Sequence, residues 1–327
     1  MKKKIALVTG GYSGEAEVSY KSAVTVGNNV DREKYEVYTI DINPKGWWYQ
    51  SEKGEKSMVN KDDFSIEVNG NTIHFDAALI IMHGTPGEDG KLQGYFDMLR
   101  LPYTSCDAAT SAITFNKRYT VAVAAFGGIQ VAKSLHVFKY SPLNIDAVLQ
   151  QLQLPVFVKP NNGGSSIGMS KVNKAEELQA ALDKAFKEDD QLLIEEFISG
   201  REFTIGVFKS NGKIQVLPIT EIITHNEFFD FEAKYLGKSE EVTPAKITGD
   251  MQTHLEQAAR QVYAILNCRG VVRIDFIYNE STQQPYMLEV NTIPGQTDAS
   301  VIPQQVRALG RTLKDFYSDV IEEAFRF

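Results

Sequence analysis

The run YMLEVNTIPG at residues 286–295 sets Glu289 and Asn291 inside an otherwise apolar strand pattern. Successive strand side chains point to opposite faces, so these two share one face and Tyr286, Leu288 and Val290 the other. Both carry oxygen donors, the ligands that hard cations take. VVRIDFIY at residues 271–278 puts Arg273 and Asp275 on one face in the same way. If the two strands are antiparallel neighbours, an arginine, two carboxylates and an amide meet on one surface. Burying those charges unpaired is costly. Two arrangements relieve that cost. In one, Asp275, Glu289 and Asn291 hold Mg²⁺ and Arg273 reaches anionic oxygens beside it. In the other, the arginine and carboxylates form a buried ion pair with no metal.

Other stretches offer chemistry of their own. In FVKPNNGGSSIG at residues 157–168, a Gly/Ser loop follows a strand, and Lys159 precedes the glycines. Such a loop can wrap an anion with its backbone N–H groups, and Lys159 could meet a phosphate. No Gly-Lys-Ser/Thr follows, so it is not a P-loop, and a flexible hairpin loop reads equally well. VTGGYSGEAEVS at residues 8–19 resembles a dinucleotide turn only in part, because Gly10, Gly11 and Gly14 do not make G-x-G-x-x-G. It reads also as a tight strand-to-helix turn. Glu15, exposed there, could meet a substrate amine. His83 in MHGTPGEDG ends a strand, where open sheets place ligands, although a lone histidine is more often structural. FFDFEAKYLG at residues 228–237 sets Lys234 and Tyr235 in a long loop, a lid or an aromatic loop packed on the surface.

The elements that must position these residues follow from periodicity. KIALVTGG, YEVYTIDI and FDAALIIMHG read as strands, with helices over EVSYKSAVTVGNNV and GKLQGYFDMLRL. Strand–helix–strand order of this kind predicts a mostly parallel, doubly wound sheet at residues 1–105. FSIEVNGNTIHF turns through Asn-Gly and predicts a hairpin. A smaller α+β lobe is expected at residues 106–199, with SAITFNKRYTVAVAAFG read as helical. A last unit, residues 200–327, holds the REFTIGVFKSNGKIQVLPI hairpin, a loop-like span at residues 220–246, a helix over GDMQTHLEQAARQVYAIL and the two charged strands.

Composition narrows the function. With 327 residues, 43% hydrophobic and 23% charged, the chain has the balance of a soluble, enzyme-sized body. The net charge of −8 argues against nucleic acid as a main partner, because phosphate backbones need a basic surface. Cys106 and Cys268 match no metal spacing or disulfide framework, which suits a reducing cytoplasm. The first apolar run is too short for a signal peptide, and no run reaches the length of a membrane span.

Taken in order, GGYSGEAEVS, HGTPGEDGKLQG, VKPNNGGSSIGMSKV, IEEFISGREFT, DFEAKYL, GVVRIDF and LEVNTIPGQTDASVIP resemble the successive motifs of the ATP-grasp enzymes, and within them the D-alanine–D-alanine ligase family. They cover most of the chain, and the last is highly specific. The resemblance implies an α/β, three-domain ATP-grasp fold with an N-terminal Rossmann-like sheet and ATP held between the other two lobes. It implies that Lys117 and Lys159 bind phosphates, that Glu195 and the backbone near Phe197 and Ile198 read the adenine, and that Glu202 meets the ribose. Asp275, Glu289 and Asn291 would hold Mg²⁺ or Mn²⁺, two ions in all. Glu15 and His83 would contact the first D-alanine, with Ser165 and Tyr235 joining Glu15 in a network that shuts the lid. Arg273 and the Gly295 N–H would stabilise the oxyanion. Ser300, Val301 and Lys234 would meet the second substrate and the phosphates. A homodimer is also implied. Two positions depart from some relatives: Gly163 stands where they have Glu, and Ala16 where they have Arg. Neither is among the assigned roles. The rival readings are a nicotinamide-dependent oxidoreductase, resting on the glycine turn alone, and a non-catalytic nucleotide-binding module.

Overall fold

The computed structural model describes residues 2–51, 54, 56–141, 143–164, 167–224 and 239–327. Three sheets carry the chain. The first is formed by β1 (Lys3–Gly10), β2 (Tyr35–Asn43), β3 (Gly46–Gln50), β4 (Lys56–Met58) and, after the small β5–β6 hairpin (Ile66–Val68, Asn71–Ile73), β7 (Ala77–Ile80). Its order is β4-β3-β2-β1-β7, with β1 parallel to both β2 and β7. Helix α1 (Ala16–Asn29) makes the crossover from β1 to β2, and α2 (Lys91–Leu99) follows β7. The sheet is parallel only in these pairings of β1: β2–β3 and β3–β4 are antiparallel, so the mostly parallel sheet expected from sequence is half realised. β7 stands at the end of the order, yet it is apolar and buried throughout, because residues 102–104 bond its outer edge through Ala78.

Helices α3 (Ala108–Phe115) and α4 (Lys117–Phe126) follow. The sequence pattern read them as one helix. The chain breaks at Asn116, whose side chain accepts a hydrogen bond from Tyr119 N and caps α4. Next come β8 (Ser134–Phe138), α5 (Ile145–Gln151), β9 (Val156–Pro160), β10 (Ser170–Val172), α6 (Leu178–Ala185) and β11 (Gln191–Glu196). These four strands form an antiparallel sheet, β10-β9-β11-β8, with α5 and α6 packed on it. The Gly/Ser loop is the β9–β10 connection.

The third sheet runs β15-β14-β12-β16-β17, with β13 pairing β12. Its members are β12 (Arg201–Ser210), β13 (Lys213–Val216), β14 (Thr220–Thr224), β15 (Ser239–Val242), β16 (Val272–Asn279) and β17 (Gln284–Asn291). The 220–246 span is therefore not loop throughout: its two ends pair as antiparallel β14 and β15, with Ile222 buried between them. Residues 225–238, including Lys234 and Tyr235, lie outside the described residues, as does Ser165. Helix α7 (Gly249–Ile265) packs Leu255, Ala259 and Val262 on this sheet, together with Ala124 of α4.

The terminal helices α8 (Val301–Ala308) and α9 (Leu313–Ala324) join the first and third sheets. Ile5 and Leu7 of β1, Phe208 of β12, Ile302 of α8 and Phe316 of α9 belong to one buried apolar cluster. A second junction lies where residues 104–107 leave the first sheet. Cys106 Sγ receives a hydrogen bond from Arg269 N at 3.4 Å, and Arg269 pairs with Asp107 at 3.4 Å. Gly270 sits at φ +60°, and a Cβ there would lie 1.8 Å from the Thr104 carbonyl oxygen. Only glycine lets the two backbones come this close. Gly270→Ala is expected to destabilise the protein by about 2 kcal/mol or more, since strain and backbone displacement add. Urea unfolding of the variant beside the parent measures it.

Candidate active site

β16 and β17 are antiparallel neighbours with Arg273 opposite Asn291 and Asp275 opposite Glu289. The four side chains thus share one face. The ladder shifts register between Asp275 and Phe276, because Phe276 faces Met287 and leaves Leu288 as the extra residue of a bulge. The shift has a visible consequence. Met287 and Val290 are both buried in the apolar core although they are three residues apart, which regular alternation forbids. Leu288 and Glu289 instead both line the cleft. Strict alternation would put Leu288 with Val290; the bulge puts it with the carboxylate.

Arg273 holds this face together. Its Nε donates to Asp275 Oδ1 at 3.0 Å and its Nη2 to Asp275 Oδ2 at 2.8 Å. Glu289 Oε1 lies 3.8 Å from Nη2. Burial disfavours the guanidinium charge, but the Asp275 and Glu289 carboxylates outweigh it and raise its pKa. Asp275 Oδ1 also accepts from Thr204 Oγ1 on β12 at 2.6 Å. Nothing in the sequence pattern marks Thr204; its role comes from the β12–β16 pairing, which sets it directly opposite Asp275.

The face opens onto a cleft of about 500 Å³. Of the residues singled out by sequence, Glu15, His83, Lys117, Glu202, Arg273, Asp275, Glu289, Asn291, Gly295, Ser300 and Val301 line it. Glu15 is half-buried rather than exposed. Its carboxylate lies between the loop after β7 and the β9–β10 loop. A Cβ on Gly84 would meet one Glu15 oxygen at 2.8 Å, and a Cβ on Gly164 the other at 3.2 Å. Lys117 Nζ donates to the Gly163 carbonyl at 2.6 Å. Ser300 Oγ accepts from Thr297 N at 3.0 Å and lies close to Gly295.

Lys159, Glu195, Phe197 and Ile198 are not among the cleft-lining residues. Lys159 Nζ instead forms an ion pair with Glu195, and Phe197 N donates to the Pro155 carbonyl at 3.1 Å. The glycine turn after β1 has its amides occupied too: Gly11 N donates to Ile42 O at 2.8 Å and Tyr12 N to Thr85 O at 2.9 Å. A dinucleotide turn would turn such amides toward a pyrophosphate.

Two buried titratable groups flank Glu15. Burial lowers the His83 pKa to about 4, with the Arg273 charge acting in the same direction. Glu88, which sequence reasoning passed over, accepts from Gly84 N at 2.6 Å. Burial, then the nearby Glu15 charge, push its pKa up to about 8. Its place in GEDG five residues after His83 was the only signal available.

The charged face suits a hard divalent cation in its donor types, since Asp275, Glu289 and Asn291 are all oxygen donors on one surface. Among the described residues no group of three or more His, Cys, Asp or Glu gathers, so the set is two carboxylates and an amide. A cation held there would need further oxygens from an anionic ligand, as Mg²⁺ sites on phosphates do.

Comparison with known proteins settles the family. The family models described as the N-terminus and the C-terminus of D-ala D-ala ligase match residues 4–106 and 117–322. The chain belongs to the D-alanine–D-alanine ligase family. It is 44% identical over 326 residues to the D-alanine–D-alanine ligase of Parabacteroides distasonis, covering 100% of this chain and 98% of that protein. It is 44% identical to that of Phocaeicola vulgatus over 99% of this chain and 100% of the relative. Among solved structures, the VanG D-Ala:D-Ser ligase of Enterococcus faecalis superposes with a TM-score of 0.88 at 30% identity, covering 99% of this chain and 100% of that one. The Bacillus anthracis D-alanine–D-alanine ligase complexed with ATP superposes at 0.79 and 28% identity, over 99% and 98%. These likenesses also establish the ATP-grasp fold for this ligase family member.

Glu88 gives the ligase a pH signature. Its folded pKa lies above the ordinary carboxyl value, so between about pH 4.5 and 8 the folded state binds a proton that the unfolded state releases. Stability from this group is therefore full below that window and lost as pH rises through it. Glu88→Gln is expected to flatten that decline, measured as urea midpoints from pH 5 to 8.5.

Proposed function

We propose that the protein is an ATP-dependent ligase that joins two D-alanine molecules to D-alanyl-D-alanine, releasing ADP and phosphate, for peptidoglycan precursor synthesis. The observation that carries the reading is the β16–β17 register, which gathers Arg273, Asp275, Glu289 and Asn291 on one face of the cleft that also holds Glu15 and Gly295. The full-length similarity to D-alanine–D-alanine ligases supports it.

The chemistry follows from the poor electrophilicity of a carboxylate. A carboxylate oxygen of the first D-alanine attacks the γ-phosphorus of ATP, the bond to the β-phosphate oxygen breaks, and ADP leaves. The neutral amine of the second D-alanine attacks the acyl phosphate carbon, phosphate departs from the tetrahedral intermediate with the bonding electrons, and the nitrogen gives up a proton to the phosphate or to solvent to leave the amide. Glu15 would take the ammonium of the first D-alanine. Arg273 and the Gly295 N–H would receive the oxyanion, a donor of this kind lowering the barrier by about 3 kcal/mol. Lys117, Lys159 and Lys234 would neutralise phosphate oxygens, with Glu195, Phe197 and Ile198 at the adenine and Glu202 at the ribose. Since Lys159 and Glu195 pair with each other in this structure, nucleotide binding would redirect that pair. Ser300 and Val301 would contact the second substrate. Asp275, Glu289 and Asn291 would hold Mg²⁺ or Mn²⁺, which offsets phosphate charge in phosphoryl transfer.

On this reading a solution dimer in the cytoplasm follows from family resemblance, and sedimentation tests the dimer. No helix among the described residues is long and apolar enough to cross a membrane. The oxidoreductase reading has no support in the glycine turn, whose amides bond to neighbouring carbonyls.

Three measurements test the reading. Mg²⁺-dependent ADP release should appear with D-alanine and not with L-alanine; ADP release indifferent to the amino acid, or none, overturns it. Glu289→Gln should keep the fold and lower kcat about 100-fold or more, and wild-type turnover at limiting Mg²⁺ would exclude the metal role. The third concerns the acceptor. Tyr235, in the AKYL stretch, resembles the dipeptide-forming version of the lid motif, its hydroxyl assigned to Ser165 and through it to Glu15. With equal D-alanine and D-lactate the dipeptide should dominate near neutral pH, and Tyr235→Phe should raise the ester share by about 1–3 kcal/mol in relative barrier. Chromatography of products measures the ratio; mostly ester from the parent enzyme would remove the Tyr235 assignment.

A further inference from the structure

A run of buried polar groups crosses the molecule behind the cleft. Helix α1 turns Ser19 and Ser22, three residues apart and both wholly buried, toward the end of β7. Ser19 Oγ accepts from His83 N at 2.9 Å. Ser22 Oγ accepts from Gln296 N at 3.1 Å and lies 3.4 Å from His83 Nε2. Gln296 Oε1 in turn accepts from the Tyr317 hydroxyl of α9 at 3.1 Å, and its Nε2 donates to Pro294 O at 3.3 Å. Gln296 and Tyr317 are 3% and 2% exposed. One chain of hydrogen bonds therefore joins α9, the loop that carries Gly295, α1 and the loop that carries His83.

A serine hydroxyl has one proton and two lone pairs. Ser22 Oγ accepts the Gln296 N–H and keeps one lone pair and its own proton, so toward His83 Nε2 it can accept or donate. The ring's hydrogen bond to the Ile293 backbone decides between them: it is of the kind that favours a protonated nitrogen, so the ring donates to it, and with Nε2 turned to Ser22 the donor is Nδ1. A neutral ring then leaves Nε2 to accept the Ser22 proton. The charged groups around the ring are Arg273 from β16, Glu15 at the start of α1 and Glu88 from its own loop. Burial and the Arg273 charge keep it neutral, with a pKa of about 4.

We propose that Ser22 is a positioning residue that holds His83 in the Nδ1–H tautomer and pins the Gly295 loop to α1, so that His83 shapes the substrate pocket and exchanges no proton during the reaction. The proposal rests on the ligase reading for its catalytic consequence, but not for the tautomer. A histidine whose ring is committed to Ser22 and Ile293 has no nitrogen left to act as acid or base. The same hydroxyl that commits it also sets the depth at which the Gly295 amide enters the cleft. An unsupported amide would have to be ordered anew at each turnover, whereas a preorganised donor is the effective kind.

The test separates structure from activity. Ring-¹⁵N histidine spectra of the ligand-free parent protein, with His83 assigned by its loss in His83→Gln, are expected to show one neutral Nδ1–H tautomer from pH 5.5 to 8.5. The other tautomer, a mixture, or a ring that titrates near pH 6.5 would overturn the proposal. In Ser22→Ala the tautomers should mix and kcat should fall about tenfold, with KM for ATP within twofold. Tyr317→Phe, which keeps the ring in the core, supplies a second variant should Ser22→Ala not fold; it should lower kcat several-fold with the His83 spectrum unchanged. Folded variants with parental kcat, whatever their spectra, would overturn the positioning role. Absence of any D-alanine-dependent ADP release from the parent would count against the ligase reading, while the tautomer result would stand by itself.

Discussion

One half-buried guanidinium between two carboxylates is the constraint on which the rest of this structure depends. Arg273 bonds Asp275 twice and faces Glu289, and the three occupy a face that opens to the cleft. Two carboxylates so close would repel, and each would be costly to bury alone. The arginine makes the arrangement tolerable without ligand. Asp275, Glu289 and Asn291 still present oxygen donors on one face, which is what a cation carried with an anionic nucleotide could meet. The bulge at Asp275/Phe276 belongs to the same solution, because it lets β17 bury Met287 and Val290 together while Leu288 and Glu289 both face the cleft.

The scaffold ties the first and third sheets together. The cleft draws residues from the first sheet's loops, from the β9–β10 loop and from β12, β16 and β17. The second sheet keeps a core of its own under α5 and α6, but the first and third would drift relative to one another if they did the same. Instead α8 and α9 bury Ile302 and Phe316 in a cluster shared with Ile5 and Leu7, and residues 104–107 abut 269–270 with no room for a side chain. Apolar burial of this kind is non-directional, so it sets distance; the hydrogen bonds through Ser22 and Gln296 add the direction.

Much of this was legible in the sequence because chemistry-bearing residues interrupt apolar patterns. Glu289 and Asn291 stand out in a strand, and their facing partners Arg273 and Asp275 stand out in another. The parallel pairing of β1 with β2 and β7 and the two Asn-Gly hairpins followed from local pattern. What stayed hidden depends on tertiary neighbours. The bulge cannot be seen in YMLEVN, since one extra residue only shifts parity. Thr204 looks like any strand threonine until pairing sets it against Asp275. Ser19 and Ser22 look like indifferent helix positions, and Glu88 like a surface acid, until burial gives them partners and, for Glu88, a proton. The strand ends at 220–224 and 239–242 were masked by the charged, aromatic stretch between them.

The electrostatics of the pocket then fit its proposed substrate in a specific way. An amino acid in water is a zwitterion, with one charge of each sign a few ångströms apart. A pocket that selects it needs one anion and one cation, and each further charge left uncompensated would attract the wrong ligand or raise the cost of burial. The titratable side chains that line this cleft include Glu15, Glu88, His83 and Arg273. Burial takes two of them out of play at neutral pH, His83 by lowering its pKa to about 4 and Glu88 by raising its own to about 8. Burial removes the charge of a histidine and of a carboxyl by opposite shifts, so one physical cause leaves two fewer charges beside Glu15 and Arg273. Arg273 keeps its charge under the same burial only because Asp275 and Glu289 lie against it, which ties the selectivity of the amino-acid pocket back to the charged face of β16 and β17.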